Sequence, residues 1–246
     1  MLPTSIKNPF GNAKVLYKEE TESTMTDARN LRLQKLPSGT VIWAGHQVAG
    51  RGRIADRKWI ASPGKNILCT FYLDLQDIKL PLTAMPLAVG LGIAKYLESS
   101  WDLQAQIKWP NDILIKDKKI CGILCETKYD ALFVGIGLNV NETSFPGEIK
   151  KKATSIKKET RKKAELKEVM EDMLNSVKEA IEDNSWREEI EKRLWGKDRE
   201  ISFLNGNPTA PSIIRGRIIG IGEAGELIME DFDNGLSRLV SGEIDF

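Results

Sequence analysis

The chain has 246 residues, 41% of them hydrophobic and 29% charged, a composition typical of a soluble globular protein that buries a substantial core. The formal net charge is only +1, so no overall field favours nucleic acid or an anionic membrane, and any basic function has to be local. No apolar run approaches the roughly 20 residues of a membrane span, and the three cysteines lack disulfide or zinc-site spacing, which favours a reducing, cytoplasmic location.

The first half of the chain predicts two helices and two strands. Residues 21–36 predict a helix that ends at a Pro-Ser-Gly turn. Residues 40–45 and 66–73 are rich in β-branched and aromatic side chains and predict strands, with a long Arg/Gly-rich loop between them. Residues 82–101 are apolar on nearly every side, which indicates a buried helix.

The second half predicts hairpins, a long helix and a separate β unit. Short strand-like pieces follow one another up to residue 140, and residues 141–163 are basic and polar and predict a mobile loop. From Leu166 onward, apolar residues recur at three- and four-residue steps, which indicates an amphipathic helix. The remaining short strands are separated by Gly, Asn and Pro. We therefore expect a main domain over residues 1–196 and a small C-terminal β-barrel over residues 197–246.

The segment GHQVAGRGRIADRKW, residues 45–59, combines three arginines with three glycines. Glycine lets the backbone approach an anion closely, and guanidinium groups donate charge-assisted hydrogen bonds to phosphate. The segment therefore predicts a phosphate-binding loop. A solvated surface loop and an RGG-like nucleic-acid contact are the alternatives.

Two further stretches, IKWPNDILI and KKICGILCE, carry polar groups on apolar strands. The first places Lys108, Asn111 and Asp112 at the end of a strand. The second contains Lys119, together with Gly122 inside a strand, where a missing side chain often marks the close approach of a ligand. Cations, an amide and a carboxylate that converge in this way predict an adenylation site for a nucleotide and its magnesium ion.

In chain order, the stretches STM, GRGRIADRKWIASPGKNI, KWPND, KKICGIL, GIGLNVN and ATSI resemble the motifs of the biotin protein ligases, and the likeness extends over residues 21–246. The resemblance implies an α+β fold with a mixed β-sheet flanked by helices, as in class II aminoacyl-tRNA synthetases, followed by a small C-terminal β-barrel. It also implies an enzyme that condenses biotin with ATP to biotinyl-5'-AMP and pyrophosphate. The biotin would then pass to one lysine of a biotin carboxyl-carrier domain.

The resemblance also implies roles for individual residues. Biotin would be bound by Ser23, Thr24, Met25, Gln47, Gly50, Arg51, Gly52, Arg53, Lys119 and Gly122. ATP and the adenylate would be bound by Arg53, Arg57, Trp59, Lys108, Asn111, Asp112 and Asn139, with Asp112 as a ligand of Mg²⁺.

We expect Lys119, Arg53 and Lys108 to carry catalysis by neutralising charge, because the attacking group is the substrate's own carboxylate and no enzyme nucleophile is required. Lys119 is expected to matter most, since a point charge beside the mixed anhydride assists both half-reactions.

Two features depart from the family pattern. Met25 stands where the family usually has Asn, and the loop GRGRIADRKW is one residue longer than the commoner form, with Ile54, Ala55 and Asp56 in place of a basic residue and a glycine. The second departure leaves the role of Arg57 open. Only about 20 residues precede the first motif, so we expect a monofunctional ligase without a helix-turn-helix domain, no specific DNA binding and no membrane association. A homodimer remains open.

Two rival functions remain open at this stage. A lipoate ligase or octanoyl transferase shares the fold, and Cys121 or Cys125 would supply the thiolate nucleophile that the transferase needs. A non-catalytic nucleic-acid-binding module would use the arginine loop without ATP, and its binding would weaken steeply with salt. The ordered series of motifs and the small net charge favour the biotin ligase. The single histidine, His46, argues against a histidine-based triad or metal site.

Overall fold

The larger of two β-sheets forms the body of the protein in this computed structural model, which describes residues 1–54, 57–205 and 212–244. Its eight strands are β1 (Leu2–Pro3), β2 (Val15–Thr21), β3 (Val41–Gln47), β4 (Ile67–Asp74), β5 (Gln106–Lys108), β6 (Asp112–Ile115), β7 (Lys118–Lys128) and β8 (Ala131–Leu138). They lie in the order β1-β2-β3-β4-β8-β7-β6-β5, with β2 and β3 parallel and the other neighbours antiparallel. The mixed sheet predicted from the family resemblance is therefore confirmed. Ala55 and Asp56, which distinguish the arginine loop, lie outside the described residues.

Helices cover both faces of this sheet. They are α1 (Thr24–Leu33), α2 (Met85–Trp101), α3 (Ile149–Lys152), α4 (Ile156–Thr160), α5 (Leu166–Glu182) and α6 (Trp186–Glu191). The α1 helix buries Met25 and Ala28 against Tyr72 and Phe133 on one face, whereas α2 and α5 pack in the main core on the other. In the part of the chain that the structure describes, no helix is long and apolar enough to cross a membrane.

The structure differs from the predictions at the start of α1 and at β2, the strand that precedes it. The helix predicted over residues 21–36 is shorter, because Thr21 still pairs with Gln47 as the last residue of β2. The strand β2 itself was not predicted. Its sequence, VLYKEET, has three apolar or aromatic residues followed by four polar ones and no alternation, and its pairing with β3 is what identifies it.

The segment at residues 141–163 was predicted as a mobile loop, and that prediction is wrong. It contains α3 and α4, and Asn141, Glu142, Thr154 and Ser155 are all buried. The Glu142 carboxylate accepts hydrogen bonds from the Ser62 amide and the Lys65 ammonium, each at 3.2 Å. These partners lie about 80 residues away along the chain, so composition alone could not reveal that the segment is ordered.

The C-terminal strands form a second sheet, comprising β9 (Glu200–Asn205), β10 (Ser212–Ile221), β11 (Leu227–Asp231), β12 (Gly235–Leu239) and β13 (Glu243–Ile244). Their order is β12-β11-β10-β9-β13. The C-terminal β unit expected from the sequence is therefore present as a five-stranded sheet, while its closure into a barrel stays a prediction. Its inner side chains, including Phe203, Ile218 and Met229, belong to the same hydrophobic core as α2 and the larger sheet.

Close packing of α2 on α5 yields a stability prediction. A Cβ built on Gly92 lies 2.5 Å from the Val177 Cα and 2.7 Å from the Ser176 carbonyl oxygen, both backbone atoms of α5. We expect Gly92→Ala to lower the free energy of unfolding by about 1–3 kcal/mol, because the two helices must move apart. Urea unfolding would measure this change.

Gly90→Ala is the matched control, because the Cβ built there lies 3.0 Å from the end of the flexible Ile113 side chain. We expect the control to change stability by less than the Gly92 variant. Equal effects of the two substitutions would contradict the explanation by backbone contact.

Candidate functional site

A cavity opens on the α1 face of the larger sheet, between α1 and the arginine loop. Its floor is made of glycines, because Gly122 of β7 pairs with Gly137 of β8, and Gly135 lies two residues before Gly137 on the same face. Of the residues predicted from the motifs, the cavity is lined by Ser23, Thr24, Met25, Gln47, Arg51, Gly52, Arg53, Trp59, Asn111, Lys119 and Gly122. Gly135 and Gly137 were not predicted, although the GIGLNVN stretch contained both.

One wall of the cavity is a neutral hydrogen-bonding cluster. The Gln47 Oε1 accepts a hydrogen bond from the Thr24 amide at 2.7 Å and another from the Thr24 hydroxyl at 3.0 Å. The Thr24 and Thr70 hydroxyl oxygens are 2.8 Å apart in the buried interior. With its oxygen engaged, Gln47 has its amide Nε2 to offer a ligand, and the largely buried Ser23 and Thr24 line the cavity beside it.

The arginine loop is folded as a short antiparallel ribbon. The Trp59 amide donates to the Gly50 carbonyl at 3.0 Å, the Gly52 amide donates to the Arg57 carbonyl at 2.7 Å, and Arg51 pairs with Lys58. A Cβ built on Gly50 would lie 2.9 Å from the Trp59 carbonyl oxygen, so this close pairing requires glycine there. The ribbon carries Arg51 and Arg53 to the cavity.

The opposite wall is cationic. The Lys119 Nζ lies 2.6 Å from the Asp112 Oδ1, and the strand register places Lys108 beside Asp112 and Asp112 beside Gly122. Lys108 is only 3% exposed, and its Nζ lies 6.0 Å from the centre of the Trp195 ring. Burial lowers the pKa of Lys108 to about 8, although the charges of Asp112 and Glu243 act in the opposite direction. Burial likewise lowers the pKa of Arg53.

The C-terminal sheet reaches this wall through Gly242 and Glu243, which sequence reasoning missed. The Arg53 guanidinium donates to the Gly242 carbonyl at 2.7 Å, and the Arg57 guanidinium donates to the Glu243 carboxylate at 2.6 Å. Burial would raise the pKa of Glu243, but the hydrogen bond from Arg57 and the charges of Arg57, Lys108 and Arg53 hold it below its usual value. Nothing in the SGEIDF terminus signals this contact, because it joins residues that are 189 positions apart.

Other predicted residues support the site from outside the cavity. The Asn139 amide is buried and donates to the Thr154 carbonyl at 3.0 Å, which fixes the segment that follows β8. Lys108, Asp112, Arg57 and Gly50 adjoin the lining residues without lining the cavity themselves. Asn111 lines it, and its amide donates to the Ile123 carbonyl at 2.6 Å.

Within the described ranges, no cluster of three or more His, Cys, Asp or Glu side chains could hold a metal ion by itself.

Comparison with known proteins places this geometry in a family. A family model described as the biotin/lipoate A/B protein ligase family matches residues 17–141. The bifunctional ligase/repressor BirA of Bacillus spizizenii is 31% identical over 98% of this chain and 76% of its own length. A biotin–[acetyl-CoA-carboxylase] ligase of Mycobacterium tuberculosis is 35% identical over 48% of this chain and 45% of its own.

The three-dimensional structure agrees with these sequence matches. The biotin protein ligase of Aquifex aeolicus, solved in complex with biotin and ATP, is similar with a TM-score of 0.81 and 30% identity, covering 94% of this chain and 97% of that one. The likeness therefore extends over nearly the whole chain. The chain belongs to the biotin/lipoate A/B protein ligase family.

Proposed function

We infer that the protein is a biotin protein ligase, an ATP-dependent and AMP-forming enzyme. In the first step the biotin carboxylate attacks the α-phosphorus of ATP, which forms biotinyl-5'-AMP and releases pyrophosphate. In the second step a lysine amine of the acceptor attacks the acyl carbon, and AMP leaves. The observation that carries this inference is a single cavity with a neutral hydrogen-bonding wall on one side and a cluster of cations on the other.

The neutral wall suits the ureido ring of biotin. We propose that Gln47, Ser23 and Thr24 bind this ring, because an amide and hydroxyls complement its N–H and C=O groups. Arg51, Gly50 and Gly52 would close over the ring as part of the ribbon. The Met25 side chain packs over the glycine floor, with its Cε 3.2 Å from a Cβ built on Gly135, and would form an apolar wall where relatives usually offer Asn.

The cationic wall suits the reacting carboxylate and the phosphates. Lys119 and Arg53 line the cavity and would neutralise the charge that develops during adenylation. Lys108, Arg57 and Asn111 would serve the triphosphate, and Trp59 would form an apolar wall beside the adenine. Asn139 would act on this side by holding the segment at Thr154.

A magnesium ion fits this wall if the nucleotide supplies most of its ligands. Mg²⁺ is commonly held by one or two carboxylates together with substrate phosphates and waters. Asp112 supplies one such carboxylate beside Lys119. We therefore propose that Mg²⁺ arrives with ATP, that it neutralises phosphate charge, and that Asp112 is its protein ligand.

The thiol chemistry of an octanoyl transferase receives no support from the cysteines. Burial raises the pKa of Cys121, and it raises the pKa of Cys125 to about 12 even though part of that residue reaches the surface. A thiolate nucleophile requires the opposite shift. The activated-acid route, which needs no enzyme nucleophile, agrees better with these residues.

The acceptor that we propose is a biotin carboxyl-carrier domain, whose lysine would approach the adenylate. We place the reaction in the cytoplasm, since Cys69, Cys121 and Cys125 are all unpaired and a reducing compartment keeps thiols free.

Substrate choice tests the proposal directly. We expect pyrophosphate release from Mg-ATP when biotin is offered without any carrier, and none above background with lipoate or octanoate. Release with lipoate alone would identify the protein as a lipoate ligase and make Met25 the first residue to examine. The absence of release with all three acids would contradict an adenylating enzyme.

Loss of either central cation should abolish most of the activity. We expect Lys119→Ala and Arg53→Ala each to lower kcat/KM for biotin-dependent pyrophosphate release by about 10²–10³-fold, because each removes one preorganised charge from the transition state. Lys118→Ala is the control, since Lys118 is the exposed neighbour of Lys119. Melting temperatures within a few degrees of the unsubstituted protein would show that the fold is intact. Normal pyrophosphate release by Lys119→Ala and Arg53→Ala would contradict the assignment of these two residues as the charge-neutralising pair.

The buried Lys108 predicts a pH dependence for nucleotide binding. Because its pKa is lowered to about 8, the side chain is charged below that pH and neutral above it. A neutral amine attracts phosphate less, so we expect KM for Mg-ATP to rise as the pH increases from 7 to 9.5. Lys108→Met should show a high KM with little pH dependence over this range, and a flat KM in the unsubstituted protein would contradict the assignment.

A further inference from the structure

The indole of Trp59 lies directly on the glycine floor of the cavity. A Cβ built on Gly137 would lie 2.5, 2.7 and 2.9 Å from the Cε2, Cζ2 and Cδ2 atoms of this ring. A Cβ built on Gly122, the residue paired with Gly137, would lie 2.9 Å from the ring's Cζ3. Any side chain at Gly137 therefore requires the ring to move, since real Cβ atoms do not approach other atoms to 2.5 Å.

The contact is one of shape and not of hydrogen bonding. The Trp59 Nε1 is buried, and among the described residues it has no hydrogen-bond partner. The Lys119 Nζ lies 5.6 Å from the ring centroid, within the range of a cation–π interaction. The ring is therefore held by the flat glycine surface below it and by Lys119.

The position of the ring determines the position of the ribbon. Trp59 pairs with Gly50 through the Trp59 amide, and the ribbon between them carries Arg51 and Arg53. Two other side chains of the ribbon contact the C-terminal sheet, Arg53 at the Gly242 carbonyl and Arg57 at Glu243; both contacts are exposed, and the Arg57 side chain is 61% exposed. Exposed ion pairs contribute little to stability. The indole on the glycine floor is therefore the side-chain contact of the ribbon that rests on close packing.

We propose that Gly137 is a positioning residue that acts through Trp59. By leaving room for the indole, it holds the Trp59 end of the ribbon in place and so keeps Arg53 at the cavity that Lys119 also lines. This placement of the ribbon follows from the geometry alone, whereas its consequence for biotin activation rests on the proposed function.

The test is a double-substitution cycle read by limited trypsin digestion of the free protein. The ribbon offers four trypsin sites, at Arg51, Arg53, Arg57 and Lys58, and mass spectrometry separates cleavage there from cleavage elsewhere. We expect Gly137→Ala to accelerate cleavage in the ribbon by at least about tenfold, and Trp59→Ala to do the same. The double variant should be cleaved no faster than Trp59→Ala, because the ring that clashes is already absent and the two effects are not independent.

Gly135→Ala is the matched control for the cleavage readout. It adds a Cβ to the same face of β8, but that Cβ meets the flexible end of Met25 at 3.2 Å and not Trp59. Ribbon cleavage in this variant should match the unsubstituted protein. If Gly137→Ala does not fold, as judged by its melting temperature, Gly122→Ala takes its place in the cycle.

Two results would overturn the proposal. One is native-like ribbon cleavage in Gly137→Ala, and the other is a further full acceleration when Gly137→Ala is added to Trp59→Ala.

The same variants then report on activity, where Gly137→Ala should raise KM for biotin by about tenfold or more and have little effect on KM in the Trp59→Ala background. Digestion needs no substrate. If the cleavage rates follow the expected pattern in a protein that releases no pyrophosphate, the positioning role of Gly137 stands and only the proposed function is rejected.

Discussion

The structure depends on bringing several positive charges close together at one end of a cavity and keeping them there. Lys108, Lys119, Arg53 and Arg57 converge on this end, and two carboxylates, Asp112 and Glu243, lie among them. Burial disfavours the charged form of Lys108, and the nearby charges of Lys119 and Arg57 add repulsion, which is why the pKa of Lys108 lies below that of an exposed lysine. The hairpin, the ribbon and the C-terminal sheet each hold one part of this cluster. Its excess of positive charge is what a triphosphate and a carboxylate need.

The remainder of the site follows from the absence of side chains on β7 and β8. Gly122, Gly135 and Gly137 leave a flat surface on which Trp59 lies at one end and Met25 at the other. Between these two apolar groups a ligand can reach the hydrogen-bonding cluster at Gln47 and the cations at the opposite wall. The sheet thus supplies a surface, while the specificity comes from segments that pack on it.

Local patterns in the sequence were sufficient to predict much of this arrangement. Hairpins were predicted from the short strand-like pieces before residue 140, and the one between β6 and β7 turns at Lys116 and Asp117, whose φ values of 49° and 59° suit the tight turns of such hairpins. The amphipathic helix α5 followed from its apolar spacing. In both cases the residues that determine the structure are neighbours along the chain.

Contacts between distant residues could not be predicted in the same way. Glu243 lies in a short terminal strand without any distinguishing pattern, and its role depends on how the second sheet packs against the ribbon. The order in residues 141–163 depends on Glu142 meeting Ser62 and Lys65. The strand order of the second sheet likewise depends on pairing between strands, which the composition of residues 197–246 does not specify.

The packing of the C-terminal sheet has a thermodynamic consequence. The Trp109 indole donates to the Gly225 carbonyl at 3.0 Å, its ring lies against Phe203, and both side chains are buried in the shared core. Two units joined by such a core lose it together, so heat or denaturant should melt the chain in one cooperative transition. A nucleotide that binds at the cations near Gly242 and Glu243 would therefore stabilise the entire chain by mass action, including the strands that never touch it.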